Sequence, residues 1–265
     1  MRDKPWEKIF LDYGINDHNF SLGPFKITAE QIKKSTRKYK KTGEREVRIL
    51  CKQDHRDARP KAFKDKNLFI LPTKNKYYSI VQGEGYVDIP KITTAPIEYE
   101  PKLLFKLKTS EIGHSEMQHL DYAYAVSIIR TFIGDFSLVL TIRGRKYSPK
   151  EGFTFKVGDP KMDFKVESVQ TEVDAGYEGE KQVILVEAKS DRATDVIIRQ
   201  LYYPFRQWGQ ASGKKVRPVF FEKHGDMYLI WEFGFKDIND YNSIYLVNSA
   251  SYKIKEQVKG SDRCQ

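Results

Sequence analysis

VQTEVDAGYEGEKQVILVEAKSD, residues 169–191, is the stretch on which the fold of this 265-residue chain turns. It reads as two strands joined by a short turn at Glu180-Lys181. Strand side chains alternate faces with period two, so Glu172 and Asp174 share a face of the first strand, and Glu187 and Lys189 share a face of the second. A turn at Glu180-Lys181 sets Asp174 opposite Glu187 and Glu172 opposite Lys189. Directly opposed residues of an antiparallel pair have Cβ atoms ~4.5–5.5 Å apart. Three carboxylates and one ammonium then meet at one spot. The back of the hairpin, Val173 and Ala175 with Ile184, Val186 and Ala188, belongs to the core.

Two carboxylates facing each other without a cation repel, and one of them takes up a proton. A hard cation such as Mg²⁺ relieves that, because it takes oxygen ligands and is often held by one or two carboxylates plus water. An ammonium beside them can orient or deprotonate a water for in-line attack on a phosphate. The plainer alternative is a solvated face with cross-strand Glu–Lys pairs. Against it, Asp is depleted in strands and here faces another acid.

Outward from the hairpin, residues 115–133 place Met117, Leu120, Tyr124, Ile128 and Phe132 at helical spacing, with Ser115 as N-cap. Residues 136–142 read as a strand, with 152–157 as its hairpin partner. Residues 194–208 repeat apolar side chains at Ile197, Leu201, Phe205 and Trp208, a second helix that Pro204 kinks or ends early. Residues 216–221 and 227–235 are the last clear strands.

Pro96 and Pro101 break periodicity in KITTAPIEYEPK, residues 91–102, and divide the chain into 1–100, an N-terminal lobe that reads the target, and 101–265. Inside the lobe, Thr28-Ala29-Glu30-Gln31 is a capping box that opens a helix through about Lys40. Its Lys33, Lys34 and Arg37 are candidates for phosphate contact along a nucleic-acid backbone, or else form a lysine-rich solvated face. Residues 45–51, 67–71 and 76–81 read as strands around the basic loop CKQDHRDARPKAFKDK, residues 51–66.

A net charge of +10 and a pI near 9.3 favour a polyanionic partner. A mean hydropathy of −0.61 without a long apolar stretch speaks against a membrane span. MRDKPWEKIF lacks the apolar segment of a signal peptide, and Cys51 and Cys264 form neither a disulfide framework nor a zinc site, so the cytoplasm is the expected compartment. His114 and His119 are five apart and share no helical face. The scattered histidines do not assemble an HNH site, no Gly-x4-Gly-Lys-Ser/Thr loop marks an ATPase, and no Gly-x-Ser-x-Gly elbow marks a serine hydrolase.

Asp174, Glu187 and Lys189 resemble the PD-(D/E)XK nuclease motif, with Val173-Asp174 standing for Pro-Asp and Glu187-Ala188-Lys189 for the (D/E)XK part. GHSEMQHLDYAYA, LTIRGRKYS, TEVDAGYEG, VEAKSD and IIRQLYYPFRQW resemble type II restriction endonucleases of that superfamily, over residues 110–250. The resemblance implies an α/β fold in which a mixed sheet is flanked by helices in the order α-β-β-β-α-β, behind an N-terminal α+β lobe. It implies Mg²⁺-dependent, sequence-specific hydrolysis of double-stranded DNA to 5′-phosphate and 3′-hydroxyl ends. Asp174 and Glu187 would hold the metal, the Ala188 carbonyl would complete its shell, and Lys189 would position the attacking water. Glu172 would bind a second metal or hold Lys189, Gln200 would sit beside the metal, and Glu116 is an extra acid. Arg143 and Arg145, flanking Gly144 at a strand end, and Arg199 and Arg206 on the following helix are candidate clamps for phosphate oxygens. A homodimer and a companion DNA methyltransferase are the implied partners. The alternatives are a repair, junction-resolving or modification-dependent nuclease on the same core, a DNA-binding protein that keeps the scaffold without the chemistry, and an RNA-binding protein with stacking Tyr and Phe.

Overall fold

The structure, a computed structural model, describes residues 2–103, 105, 107–111, 115–189 and 192–255. Ser190, Asp191, His114 and Cys264, which figure in the sequence reading, lie outside them. Helix α1 (Asp3–Asp12) presents Trp6, Ile9 and Phe10 to one side, and the Trp6 ring meets Phe63 edge-on at 4.7 Å. Strand β1 (Phe25–Thr28) leads into α2 (Ala29–Thr36), opened by the expected Thr28/Gln31 capping box. The helix ends at Thr36, short of Lys40. Residues 45–51, expected as a strand, form two short helices instead, α3 (Thr42–Arg45) and α4 (Val47–Leu50). Val47 and Leu50, three apart, turn inward together, a spacing that serves one helical turn and not a strand. After α5 (Lys61–Lys64), the strands β2 (Leu68–Lys74) and β3 (Tyr77–Gln82) form a hairpin that β1 joins in the order β1-β3-β2.

The next segment ties the two ends of the chain together. Strand β4 (Tyr86–Asp88) pairs with a strand near residue 196, and β5 (Ile97–Tyr99) joins the edge of the large sheet, so the proline-bearing segment 91–102 supplies a strand to it. Helices α6 (Glu116–Ala125) and α7 (Ile128–Ile133) replace the single helix expected over 115–133. Ser115 caps α6 as expected, and the chain breaks where Ser127 adopts φ 68°.

Strand β6 (Val139–Tyr147) pairs with β9 (Gln170–Glu178), not with residues 152–157. Those residues form β7 (Phe153–Val157), paired with β8 (Met162–Val166). Phe153, Phe155 and Val157 alternate inward there and pack on Tyr202 and Tyr203, which gives the β7–β8 hairpin its own apolar face. β9 turns into β10 (Gln182–Lys189), followed by β11 (Asp195–Ile197), which pairs with β4, and α8 (Ile198–Ser212). α8 continues through Pro204, with Leu201, Tyr202, Tyr203 and Gln207 buried on either side of it. Strands β12 (Lys215–His224), β13 (Met227–Phe235) and β14 (Ile244–Ile254) complete a seven-stranded sheet of order β5-β14-β13-β12-β10-β9-β6. β10 runs parallel to β12 and antiparallel to β9.

The protein is thus a mixed α/β fold with a large mixed sheet flanked by helices. Leu120, Ala123, Ile128 and Ile129 of α6 and α7 pack on Ala175, Tyr177, Ile184, Val186 and Ala188 on one face. On the other, Phe205 and Trp208 of α8 pack on Val173, Val183, Leu185 and Val216. The fully buried Leu, Ile and Val side chains among them each contribute about 1.5–3 kcal/mol of transfer free energy. Among the described residues no helix is long and apolar enough to cross a membrane.

Candidate active site

The β9–β10 register is the one the turn at Glu180-Lys181 predicts: Val183 faces Glu178, and Val186 faces Ala175. The pairing stops there, one step before Asp174 and Glu187 would meet. In its place, the Asp174 carboxylate accepts the Ala188 main-chain N–H at 2.8 Å. The alternation of β9 also breaks. Val173 packs toward α8, whereas Ala175 and Tyr177 pack toward α6 and α7, so the expected common back face of Val173 and Ala175 does not exist. The neighbouring β6 is irregular along the same stretch, between Leu140 and Ile142 and between Ile142 and Gly144. Gly144 there takes φ 75°, a left-handed conformation that costs glycine little. Glu172 consequently does not meet Lys189. It is exposed and pairs with Arg145 at 3.2 Å.

Glu187 lies on the α8 side of β10 and is 7 % exposed. One of its oxygens accepts from both the Lys189 ammonium and the Gln200 amide of α8. Burial pushes its carboxyl up to about 7, with the Lys189 charge opposing and the Asp174 charge adding to the rise. Burial also raises Asp174, against the Ala188 hydrogen bond and Lys189, and Glu116 and Glu172 add to it. Burial acts to depress Lys189, but the charge and hydrogen bond of Glu187 outweigh it and hold the ammonium above its ordinary value. Gln200 Oε1 is buried and accepts no hydrogen bond among the described residues.

These groups line a cleft of about 690 Å³ together with Arg145, Thr171, Arg199 and Tyr203. Its opposite wall comes from the N-terminal part of the chain: Arg48, Lys52, Asp54, Lys74, Asn75, Lys76 and Tyr78. Asp54 is buried, 3.4 Å from Lys52 and 3.9 Å from Arg199, and its charge acts on both Glu187 and Lys189. The segment carrying it is fastened to the start of α8. The Asp54 carbonyl accepts from Ile197 N–H at 2.9 Å, and the Asp195 carboxylate accepts the Arg56 main-chain N–H at 2.7 Å. The Arg56 side chain pairs with Glu84, Asp88 and Asp195. A second opening of about 360 Å³, lined by His55, Arg192 and Thr194, shares Glu116 and Lys189 with the first.

Asp174, Glu187, Lys189, Glu172, Gln200, Arg145, Arg199 and Glu116 all line this one cleft. Arg143 stands behind them, paired with Asp121 and within 3.4 Å of the Asp174 carbonyl. Arg206 is not at the surface. It is buried, donates to Tyr202 Oη and the carbonyls of Thr154 and Ile238, and stacks 5.1 Å from the Phe153 ring, because α8 turns this side toward the β7–β8 hairpin. Lys33 and Lys34 on α2 and Arg37 at its C-cap are exposed, and none of them lines the cleft. Ala188 is buried under α6 and α7. The sequence reading missed Asp54, Arg48, Lys52, Lys74 and Lys76; an acid inside the basic loop 51–66 was the one local signal.

Two carboxylates disfavoured as charges by burial, beside a buried amide oxygen with no donor, are a donor set that fits a hard divalent cation. Among the described residues no group of three or more His, Cys, Asp or Glu side chains stands close enough to hold an ion. A cation here would lean on Asp174 and Glu187 and take its remaining ligands from main-chain oxygen and water, a common arrangement for Mg²⁺.

The fold and the site define a mixed α/β protein with an acidic, lysine-bearing pocket at the floor of a basic-walled cleft. The chain belongs to the family described as a domain of unknown function, DUF6997, which matches residues 81–253. Residues 3–80 match a second domain of unknown function, DUF6996, so the cleft is built from both matched regions. No curated protein and no solved structure matches the chain.

Proposed function

We propose that this protein is a Mg²⁺-dependent endonuclease that hydrolyses phosphodiester bonds of duplex DNA, on a PD-(D/E)XK core similar to that of type II restriction enzymes. The observation that carries the reading is the convergence of Asp174, Glu187, Lys189 and Gln200 at the point where the β9–β10 ladder ends, on the floor of a cleft rimmed by arginine and lysine. The order of elements supports it: α6–α7, β6, β9, β10, α8 and β12 follow the sequence α-β-β-β-α-β, with the β7–β8 hairpin and the short β11 interposed. The positive net charge agrees with a polyanionic substrate.

In this reading Asp174 and Glu187 hold the metal. Mg²⁺, when bound, supplies a Lewis acid for the phosphoryl oxygen and lowers the pKa of water. Lys189 places its ammonium beside the attacking water and the charge that develops on the phosphate. Gln200 keeps Glu187 aimed through its amide N–H and offers Oε1 to a water in the pocket. In-line attack releases the 3′ oxygen and leaves a 5′-phosphate. Arg145 and Arg199 hold non-bridging oxygens on either side. Glu172, engaged by Arg145, stays a candidate for a second metal and not for a partner of Lys189.

The test is digestion of unmethylated and methylated plasmid DNA with purified protein, in Mg²⁺ and in EDTA, beside a Lys189→Ala variant. Discrete fragments that need Mg²⁺ and vanish in the variant support the reading and map the site. Absence of cleavage of either substrate overturns it for duplex DNA.

A further inference from the structure

Opposite the acids, the cleft wall is formed by the tip of the β2–β3 hairpin and by α4 with the residue that follows its C-cap. Lys74, Asn75, Lys76 and Tyr77 occupy the tip and are all exposed. Arg48 and Lys52 stand beside it and are exposed as well. The tip is not a loose end. Its ladder runs to Lys74↔Tyr77 through an irregularity after Pro72, and the Lys76 carbonyl accepts the N–H of Ala29 at 2.8 Å, which anchors it to the first residue of α2. Lys76 itself holds φ 68°. A lysine in this left-handed region is disfavoured, and such a conformation persists where surrounding structure imposes it, a pattern common at ligand-binding positions. Lys74 pairs with Glu167 at 3.0 Å and Lys52 with Asp54 at 3.4 Å, whereas among the described residues Arg48 and Lys76 have no carboxylate partner. The result is a rigid, cationic wall facing an acidic floor across one cleft. A polyanion whose backbone is gripped at the rim while one phosphate meets the acids has this charge pattern.

We infer that the β2–β3 tip, through Lys74 and Lys76 with Arg48 beside it, is the clamp for the phosphate backbone of duplex DNA. The inference rests on the nuclease reading and deepens it, moving the N-terminal contacts from Lys33, Lys34 and Arg37, on and just after α2, to a surface that borders the site. Asn75 and Tyr77, at the same tip, are the side chains closest in sequence to the gripped backbone. Phosphate contacts position a duplex, and neighbouring polar side chains can then reach base edges.

The experiment is fluorescence anisotropy of a labelled DNA duplex in EDTA, with salt varied, on the full chain. The variant is Lys74→Gln with Lys76→Asn; asparagine tolerates the left-handed region, so the turn is kept. A charge-matched control carries Lys181→Ala and Lys215→Ala, both exposed at the far end of the sheet. Each phosphate contact adds about 0.9 to the slope of log K against log salt. Raising salt from about 50 to about 200 mM should therefore cost the parent and the control about ten-fold more affinity than it costs the tip variant. Equal slopes for parent and tip variant overturn the clamp and leave the nuclease reading standing wherever the parent still cleaves. A parent that neither binds nor cleaves duplex DNA overturns both.

Discussion

The Asp174 carboxylate accepts the main-chain N–H of Ala188 at 2.8 Å, just beyond Val186↔Ala175, where the described β9–β10 pairing ends. A side chain thus stands in for a ladder bond at the place where the two strands part. The same carboxylate is a latch for the backbone and a candidate ligand in the cleft.

The two roles separate by substitution. Asp174→Asn keeps an oxygen that accepts from Ala188 and should unfold close to the parent. Asp174→Ala leaves that N–H unpaired and should cost about 1–3 kcal/mol. Both should abolish Mg²⁺-dependent cleavage, and thermal unfolding beside plasmid digestion distinguishes latch from ligand. A cleaving Asn variant would remove Asp174 from the chemistry.

Lys189→Ala should lower the cleavage rate by about 10²–10⁴-fold, the range for loss of a positioned proton-transfer or charge-stabilising group. Duplex binding should persist, because the proposed clamp at Lys74 and Lys76 belongs to a different part of the cleft lining. Single-turnover rates and anisotropy on one preparation test this together, and loss of binding with unchanged chemistry would refute it.

Glu187 gives a pH dependence of defined sign. Its carboxyl is raised from 4.5 to about 7 in the folded protein. Between those values the folded chain holds a proton that the unfolded chain has released, so stability falls as pH rises through the window and levels off above about 7. A shift of this size corresponds to about 3 kcal/mol. Urea unfolding near pH 5 and near pH 8 should show the loss in the parent and not in Glu187→Gln. Mg²⁺ should restore part of it near pH 8 in the parent alone.

The acid-bearing hairpin was legible because its turn and its period-two pattern fix the register within the segment itself. Where the pairing stops was not, since that depends on the irregular β6 beside it and on Gly144. Residues 45–51 misled because Val47, Ile49 and Leu50 satisfy a strand pattern as well as a helical turn. β14 went unread because residues 244–254 mix exposed Tyr245, Leu246 and Val247 with polar positions, and partners on both sides decide its state. The break at Ser127 left no proline or glycine to announce it. The far wall of the cleft was invisible for a different reason. Its residues lie more than a hundred positions from Glu187 in the chain, and tertiary contacts such as residues 53–56 on β11 and Tyr203 Oη on the Pro72 carbonyl bring them close.

Arg206 yields a prediction that runs against its sequence reading. Its guanidinium serves Tyr202 and two carbonyls inside the protein. Arg206→Ala should destabilise the fold by roughly 3 kcal/mol, as loss of buried hydrogen bonds from a charged donor does. The salt dependence of duplex binding by the folded fraction should not change. A flatter slope without destabilisation would return Arg206 to the substrate.

Residues 53–56 hang the N-terminal wall on β11, the strand from which α8 and therefore Arg199 and Gln200 spring. Any change that loosens this joint displaces that wall and the helix whose Gln200 holds Glu187 at once. The exposed hairpin tip is tied elsewhere, through Lys74 to Glu167 and through the Lys76 carbonyl to Ala29. In the proposed nuclease, target preference can drift there through Lys74, Asn75, Lys76 and Tyr77 while the chemistry stays still, so such a molecule has one region free to diversify and one that is held fixed by what it joins.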